Sequence, residues 1–269
     1  MADDKLNPES AAETKVLPPA PIESDGQDKF PEELPLLPLS DVVLFPAMVA
    51  PLIVSTPQSI KLIDDVVSTH RLLITVLQKD RAAADNEVAI EDLYEYGCVA
   101  RLVKMLKFPD ETVRILVQGL ARCRVIRPVE DKSYRLARYA ILKDEKEDTI
   151  EMAALSRNAS QRFQEIITLS PTLPEELKVA VFNIDDPGKL ADLISSHLNI
   201  PLEDQQYLLQ EYRPKQRLNK LTLMLGRELE VLRLGSEIQN KVSESLSKTQ
   251  RDFFLREQMK AIKQELGEN

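Results

Sequence analysis

The sequence predicts an α+β protein: a β-rich N-terminal part, bent into a sheet or pseudobarrel, is followed by an α-helical bundle that ends in one very long helix. Between residues 34 and 143, short strand-forming runs alternate with prolines and turn residues, which favours bent strands in a compact sheet. Residues 149–213 repeat apolar side chains with helical period. After Pro214 the chain contains no proline at all, which is typical of one uninterrupted helix.

Composition indicates a soluble globular chain whose N-terminal segment differs in charge and apolar content from the rest. Of the 269 residues, 43% are hydrophobic and 29% are charged, and the formal net charge is -9. Residues 1–33 hold nine Asp or Glu against three Lys, a net charge of -6. Rich in Pro and poor in apolar surface, this acidic segment is predicted to be a disordered tail. The acidic balance argues against nucleic acid as the main partner.

The cysteines and the first residues suggest a cellular compartment. Cys98 and Cys123 lie in separate strand-like stretches and in no CxxC pair, so we expect buried, reduced thiols. The N-terminus lacks the apolar stretch of a signal peptide, and no run approaches the length of a membrane span. The sequence therefore predicts a cytoplasmic protein without a membrane partner.

The β-rich part, residues 34–143, is predicted to contain one helix among its strands. Thr56 and Pro57 supply an N-cap and a first-turn proline for a helix that continues to His70. Alternating stretches between 97 and 142 predict antiparallel strands.

Two arginines mark the middle of these stretches. Arg122 and Arg124 fall on one face, opposite Ala121, Cys123 and Val125, which predicts a half-buried strand with its arginines in solvent. A nucleic-acid surface is the alternative, but aromatic stacking partners are sparse, so a solvated face is the better interpretation.

An acidic stretch at 144–148 is the predicted linker to the helical bundle, residues 149–213. Apolar residues then recur at helical spacing, with proline or Asp-rich breaks between segments. The predicted helices cover residues 149–168, 174–183, 187–197 and 202–212.

The long helix, residues 214–269, carries more apolar surface than one small bundle can cover. Its apolar stripe changes phase at Gly235 and Ser236, which predicts a hinge, as a kink or an unwinding. Three adjacent apolar residues, Phe253 to Leu255, cover about 200° of the circumference, too wide for one partner helix. The apolar residues predicted to serve assembly are Ile238, Val242, Leu246, Phe253, Phe254, Leu255, Met259 and Ile262.

No catalytic or cofactor motif is found in the sequence. The only Gly-Lys pair, Gly188 and Lys189, fails as a phosphate-binding loop because Asn183 and Leu190 occupy the required Gly and Ser/Thr positions. His70 and His197 have no neighbours at metal-ligand spacing. We therefore expect no catalytic residue, no metal site and no cofactor in this segment.

Four stretches in one order resemble a known family. They are LPLLPLSDVVLFPAMVAPLIV from residue 34, GCVARLVKMLKFPDETVRILVQGLARCRV from 97, DDPGKLADLISSHLNIPLEDQQYLLQ from 185 and QRDFFLREQMKAIKQELGE from 250. They are similar to the N-terminal region of bacterial Lon, the ATP-dependent protease, and cover roughly residues 34–268.

The resemblance implies a function for the parent protein. In that family a PUA-like LON subdomain, a helical bundle and a long helix lead into an AAA+ ATPase, which uses ATP and Mg, and a Ser-Lys protease domain. This chain stops before both, so no catalytic or ATP-binding residue can be assigned here. The family forms a cytoplasmic hexamer that degrades misfolded and degron-bearing proteins, and its N-terminal region serves substrate recognition and assembly.

Unfolded clients offer hydrophobic side chains in an extended chain, so the recognition surface should be exposed, apolar and on turns. Two places meet this description, the interruption of the first strand pair and the first hairpin tip. The predicted client-binding residues are Phe45, Pro46, Met48, Pro51, Met105, Leu106, Phe108 and Pro109. Core packing of about half of them is the alternative, since strand alternation buries one face.

Two other interpretations stay open. A stand-alone ligand-binding or RNA-binding PUA-like module with a coiled-coil extension would share the fold, because fold does not determine function. For the long helix, packing on its own bundle is the alternative to self-association. The isolated segment is expected to be a monomer or a dimer.

Overall fold

A computed structural model describes residues 30–79, 89–109, 112–129 and 134–265 of the chain. The predicted tail, residues 1–33, lies outside the described residues except for its last four. Glu33 already begins the first strand, and the hydroxyl of Tyr139 donates a hydrogen bond of 2.7 Å to the carbonyl oxygen of Pro31. The folded sheet therefore includes the end of the predicted tail.

Six strands form one sheet in the order β2-β5-β4-β3-β1-β6. Their bounds are β1 Glu33–Leu39, β2 Val49–Val54, β3 Leu72–Gln78, β4 Leu93–Lys107, β5 Val113–Val129 and β6 Leu136–Ile141. The pair β1–β3 is parallel and the other pairs are antiparallel. Because β6 also pairs with β5, all strands except β2 close into a ring. The predicted bent sheet or pseudobarrel is confirmed.

The length of β5 explains how β2 joins this ring. The strand has 17 residues, and its first half, from Val113 to Gln118, pairs with β2. Its second half, from Cys123 to Val129, pairs with β6. Register shifts interrupt the β4–β5 ladder, and such bulges bend and twist strands. As a result β2 projects from the ring as an edge strand bound to β5.

A tight turn connects β1 to β2. The amide of Met48 donates to the carbonyl oxygen of Phe45 at 3.2 Å, and Ala47 has φ 64°. Proline at the second position and a left-handed residue at the third are typical of a type II turn. The turn is fixed to β5, because Ala47 N donates to Gly119 O and Gly119 N donates to Met48 O, both at 2.9 Å. A Cβ at Gly119 would clash with the Phe45 carbonyl oxygen.

The helices begin close to the predicted positions. Thr56 Oγ1 accepts from Ser59 N at 3.3 Å and caps the first helix, as Thr149 and Asp186 cap two later ones. The helix bounds are α1 Pro57–Ser68, α2 Ile150–Leu169, α3 Glu176–Phe182, α4 Pro187–His197, α5 Leu202–Gln210 and α6 Pro214–Glu265. The local signals, proline and cap residues, thus located the helix starts to within two residues in every case.

The barrel and the bundle share one hydrophobic core. Val43, Phe45 and Leu77 from the β-rich part lie in the same buried cluster as Phe163 of α2 and Leu221 of α6. A separate cluster lies between α1 and the sheet, and a third contains residues from all five strands of the ring. The barrel and the bundle therefore pack directly against each other.

Four charged side chains are drawn together where the two parts meet. Both guanidinium Nη atoms of Arg122, on β5, bind the Asp192 carboxylate of α4, and its Nε donates to Leu209 O at 2.9 Å. Arg217 of α6 is fully buried and pairs with Asp144, from the predicted linker, and its Nε lies 3.5 Å from Asp192 Oδ1. We call Arg122, Asp144, Asp192 and Arg217 the junction cluster.

The prediction that Arg122 is solvated is wrong, whereas Arg124 is exposed and pairs with Glu95 at 2.9 Å. The reason is that the bundle packs on the side of β5 that carries Arg122. Burial by itself lowers the pKa of Arg122, but Asp192 outweighs it and raises the pKa above its ordinary value. The arginine therefore stays charged inside the molecule.

The helix α6 is continuous over 52 residues and passes through Gly235 and Ser236 without interruption. The predicted unwinding there is wrong, and the predicted kink stays a prediction. Leu229 is the last buried residue among the α6 side chains that the structure describes, and Arg233 pairs with Glu165 of α2 at 2.7 Å. Among the described residues, no helix combines the length and the hydropathy needed to cross a membrane.

Candidate functional site

The outward side of β2, β5 and β4 forms a continuous surface, which we call the outer face. Along β2, buried and exposed residues alternate, with Val49, Pro51 and Ile53 facing solvent. Register places them opposite Gln118, Leu116 and Arg114 of β5. These are in turn opposite Arg101, Lys104 and Leu106 of β4. Directly opposed residues share a side of the sheet, so these nine positions define the outer face.

Apolar side chains dominate the free edge of this face. Ile53 exposes 70% and Val49 52% of its surface. Leu106 and Leu116 are half-buried beside them. Val103, the extra residue at the bulge between Leu102 and Lys104, is exposed as well. An exposed apolar strip on an edge strand is unusual in a soluble domain and is typical of an interaction site.

Three of the predicted client-binding residues belong to or border this face, and a fourth lies at the turn next to them. Pro51 and Leu106 lie on it, at exposed and half-buried positions. Phe108 continues β4 beyond Leu106 and lies under the Arg114 guanidinium, whose carbon is 4.4 Å from the ring centroid. Pro109 is exposed at the following turn. The structure therefore brings the hairpin tip and β2 together, although 55 residues of sequence separate Pro51 from Leu106.

Other predicted residues are placed elsewhere. Phe45 is 0% exposed and packs in the core shared with the bundle, so its expected exposure is wrong. Met105 stands opposite the buried Ile115 and packs against the cluster beneath α1, so it faces inward. Pro46 is half-buried at the tight turn, and Met48 packs partly against both cores. The alternative of core packing holds for Phe45 and Met105.

The sequence did not single out Val49, Ile53, Val103 and Leu116. All six residues of β2, Val-Ala-Pro-Leu-Ile-Val, are apolar, so no alternation shows which side faces solvent. Pro51 is the one residue of β2 that indicates its position in the sheet, because proline within a strand is typical of an edge strand. That signal identifies the edge but not the exposed partners.

A second apolar surface extends along α6. Each of the eight predicted assembly residues, from Ile238 to Ile262, exposes between 48% and 68% of its surface. From Leu234 to Glu265 the helix would extend roughly 48 Å at 1.5 Å per residue. Within the described part of the chain, no other element packs on these side chains. Their role in assembly stays a prediction.

A family model supports an identification. The model described as the ATP-dependent protease La (LON) substrate-binding domain matches residues 33–227. The chain belongs to this family. The matched residues comprise the barrel, the bundle and every buried residue described in α6 except Leu229. The exposed part of α6 lies beyond the domain.

Relatives and solved structures agree with this assignment. The chain is 41% identical to Lon protease of Dictyoglomus thermophilum over 89% of its length and 30% of that protein. It is 38% identical to Lon protease 2 of Myxococcus xanthus over 100% of its length and 32% of that protein. The chain thus spans about a third of these relatives.

The fold is shared with two solved domains. The N-terminal domain of Mycobacterium avium complex Lon protease has a TM-score of 0.61 at 17% identity and covers 72% of this chain and 98% of that one. The Lon N-terminal domain protein of Xanthomonas campestris has a TM-score of 0.51 at 20% identity, with 70% and 96% covered. At this identity the likeness shows the fold alone.

Proposed function

We propose that this LON substrate-binding domain captures unfolded, misfolded and degron-bearing polypeptides on its outer face. The observation that carries the proposal is the contiguous exposed apolar strip of Val49, Pro51 and Ile53 beside Leu116 and Leu106. Unfolded chains display apolar side chains that folded proteins bury, and a rigid apolar strip distinguishes the two states of a client.

The support of the outer face suits this role. Its strands are held by backbone hydrogen bonds along the antiparallel pairs of β2, β5 and β4. The tight turn before β2 is also fixed to β5, because Ala47 and Met48 form backbone hydrogen bonds with Gly119. A preorganised surface loses little conformational entropy when a client binds. Exposed side chains with few polar partners tolerate many client sequences, as a quality-control protein requires.

In the proposed parent protein the captured client is delivered to a motor and a protease. That protein is an ATP-dependent serine endopeptidase of the Lon type in the cytoplasm, with ATP and Mg bound by a domain outside this chain. The exposed stripe of α6 associates with other copies in a hexamer and transmits movement between the domains. Many weak client contacts in such a ring combine into tight binding.

The proposal is tested by removing apolar surface from the outer face. We expect Ile53→Ser to weaken binding of a permanently unfolded, carboxymethylated client by roughly fivefold to tenfold, since an exposed isoleucine that becomes buried contributes ~1–1.5 kcal/mol. Fluorescence anisotropy of the labelled client measures the affinity, and circular dichroism confirms that the fold is retained.

The matched control is Ile150→Ser at the start of α2, where Ile150 is 92% exposed but lies outside the outer face. This variant should bind the client as the wild type does. Equal affinity of wild type and Ile53→Ser, or equal loss in both variants, would contradict the proposed face. Binding of single-stranded RNA in preference to the client would favour the PUA-like alternative.

A further inference from the structure

The outer face carries positive charge as well as apolar surface. Of its nine register positions, five are apolar, Gln118 is neutral and polar, and Arg101, Lys104 and Arg114 are cationic. None of the nine is acidic. A chain with a formal net charge of -9 thus presents cations where its apolar strip is exposed.

Two of these cations have no carboxylate partner within the described residues. Arg114 stacks on the ring of Phe108, and neither it nor Lys104 forms an ion pair with any carboxylate that the structure describes. The nearby Lys107 differs, because its Nζ lies 2.7 Å from Asp64 Oδ1. Within the described residues, the charges of Lys104 and Arg114 are therefore open to a ligand on the face.

The positions of the two cations define a spacing. Lys104 is opposite Leu116 and Leu106 is opposite Arg114, so Lys104 and Arg114 are diagonal neighbours on adjacent strands. Diagonal neighbours on one face are ~7–8 Å apart. In an extended peptide, side chains two positions apart point to the same side and lie ~7 Å apart. An acidic pair with one residue between its members therefore matches this spacing.

We propose that the outer face selects extended client segments in which apolar residues are combined with two acidic residues two positions apart. This inference rests on the proposed function. The apolar residues of the segment contact Val49, Pro51 and Ile53, while its two carboxylates pair with Lys104 and Arg114. The surrounding apolar side chains partly exclude water, so each pair is stronger than one in open solvent.

Cations on a sheet edge also protect against aggregation. That explanation predicts no preference between client segments of equal apolarity. Nucleic acid is a poorer match than a polypeptide, because the face offers one aromatic ring, Phe108, and its edge strand is apolar throughout. The preference for acidic segments therefore separates the three explanations.

The test uses three labelled twelve-residue peptides with identical apolar residues. Their sixth and eighth positions hold aspartate in the first, asparagine in the second and lysine in the third. We expect the aspartate peptide to bind the full chain about threefold to tenfold more tightly than the asparagine peptide, as two partly exposed ion pairs allow. The lysine peptide should bind least, and the difference should shrink between 0.05 and 0.5 M salt.

Charge reversal on the face supplies the second arm. The double variant Lys104→Glu/Arg114→Glu should bind the lysine peptide better than the aspartate peptide. If this variant folds poorly, Lys104→Gln/Arg114→Gln replaces it in the test and should bind the two peptides equally. The control Lys178→Glu/Lys189→Glu makes the same change in net charge on α3 and α4. It should keep the wild-type order of affinities.

Each outcome decides between the inference and the proposed function. Equal binding of all three peptides, weakened in Ile53→Ser, would overturn the charge preference and leave client binding intact. Absence of binding by every peptide and by the unfolded client would overturn both. Tighter binding of a single-stranded oligonucleotide, lost in Lys104→Glu/Arg114→Glu, would assign the face to nucleic acid and overturn the inference.

Discussion

Ala47 occupies a left-handed backbone conformation, with φ 64°, at the centre of the turn that anchors β2. An L-residue adopts this conformation at a cost of about 1–2 kcal/mol, whereas glycine adopts it freely. The cost is offset because Ala47 N donates to Gly119 O and Gly119 N donates to Met48 O, both at 2.9 Å. The turn is therefore rigid and locally strained.

This strain leads to a prediction about stability. We expect Ala47→Gly to raise the free energy of unfolding by ~0.5–1 kcal/mol, because relief of strain exceeds the added entropy of the unfolded chain. Ala47→Val should lower it, since a β-branched side chain fits a positive φ poorly. Urea denaturation followed by circular dichroism measures both. A less stable glycine variant would show that the turn is not strained.

Among elements, α6 combines two environments in one helix. Up to Leu229 it packs in the bundle core, whereas from Leu234 onward its apolar side chains are exposed. Isolated helical surface of this kind is unfavourable in water and is normally covered by a partner. The three adjacent residues Phe253, Phe254 and Leu255 present apolar surface around much of the helix, which suits contact with more than one partner helix.

Self-association through α6 is testable with paired substitutions. We expect Phe253→Ser/Phe254→Ser to weaken self-association of the full chain at least tenfold, because the two rings supply a large apolar area at the end of the stripe. Sedimentation velocity over a range of concentrations measures the change in mass.

The control is Phe182→Ser on α3, where Phe182 is 80% exposed but lies far from α6 in sequence. This variant should sediment as the wild type does. If Phe182→Ser disrupts association while Phe253→Ser/Phe254→Ser does not, the interface lies on the bundle and not on the long helix.

At the scale of the whole molecule, the junction cluster holds barrel and bundle in one arrangement. Arg122 comes from β5, Asp192 from α4, Arg217 from α6 and Asp144 from the segment between the two parts. Two positive and two negative charges balance, and the removal of one partner leaves a buried charge uncompensated. The outer face and α6 consequently keep a fixed relation through this cluster and the shared core.

We predict that Asp192→Asn lowers the free energy of unfolding by about 3 kcal/mol or more, since Arg122 and Arg217 would then share Asp144 alone. Asp64→Asn is the matched control, because its pair with Lys107 is exposed and contributes at most about 1 kcal/mol. Thermal and urea unfolding of both variants measures the difference. Similar small losses in the two variants would show that the junction cluster does not stabilise the arrangement.

The sequence by itself determined the elements and the family. Helix starts are evident because Thr56-Pro57, Thr149 and Asp186-Pro187 act through local backbone chemistry, and helical period identifies α6 without reference to packing. The hairpin between β4 and β5 was likewise indicated by Pro109.

Only the tertiary structure decided which side chains are exposed. Arg122 was expected in solvent and Phe45 at the surface, and both are buried because the bundle packs on that side of the barrel. Ile53 was not singled out because β2 is apolar at every position. Burial depends on contacts between segments distant in sequence, whereas caps, prolines and periodicity act within a few residues. The outer face, with its apolar strip and its two available cations, is therefore a product of packing.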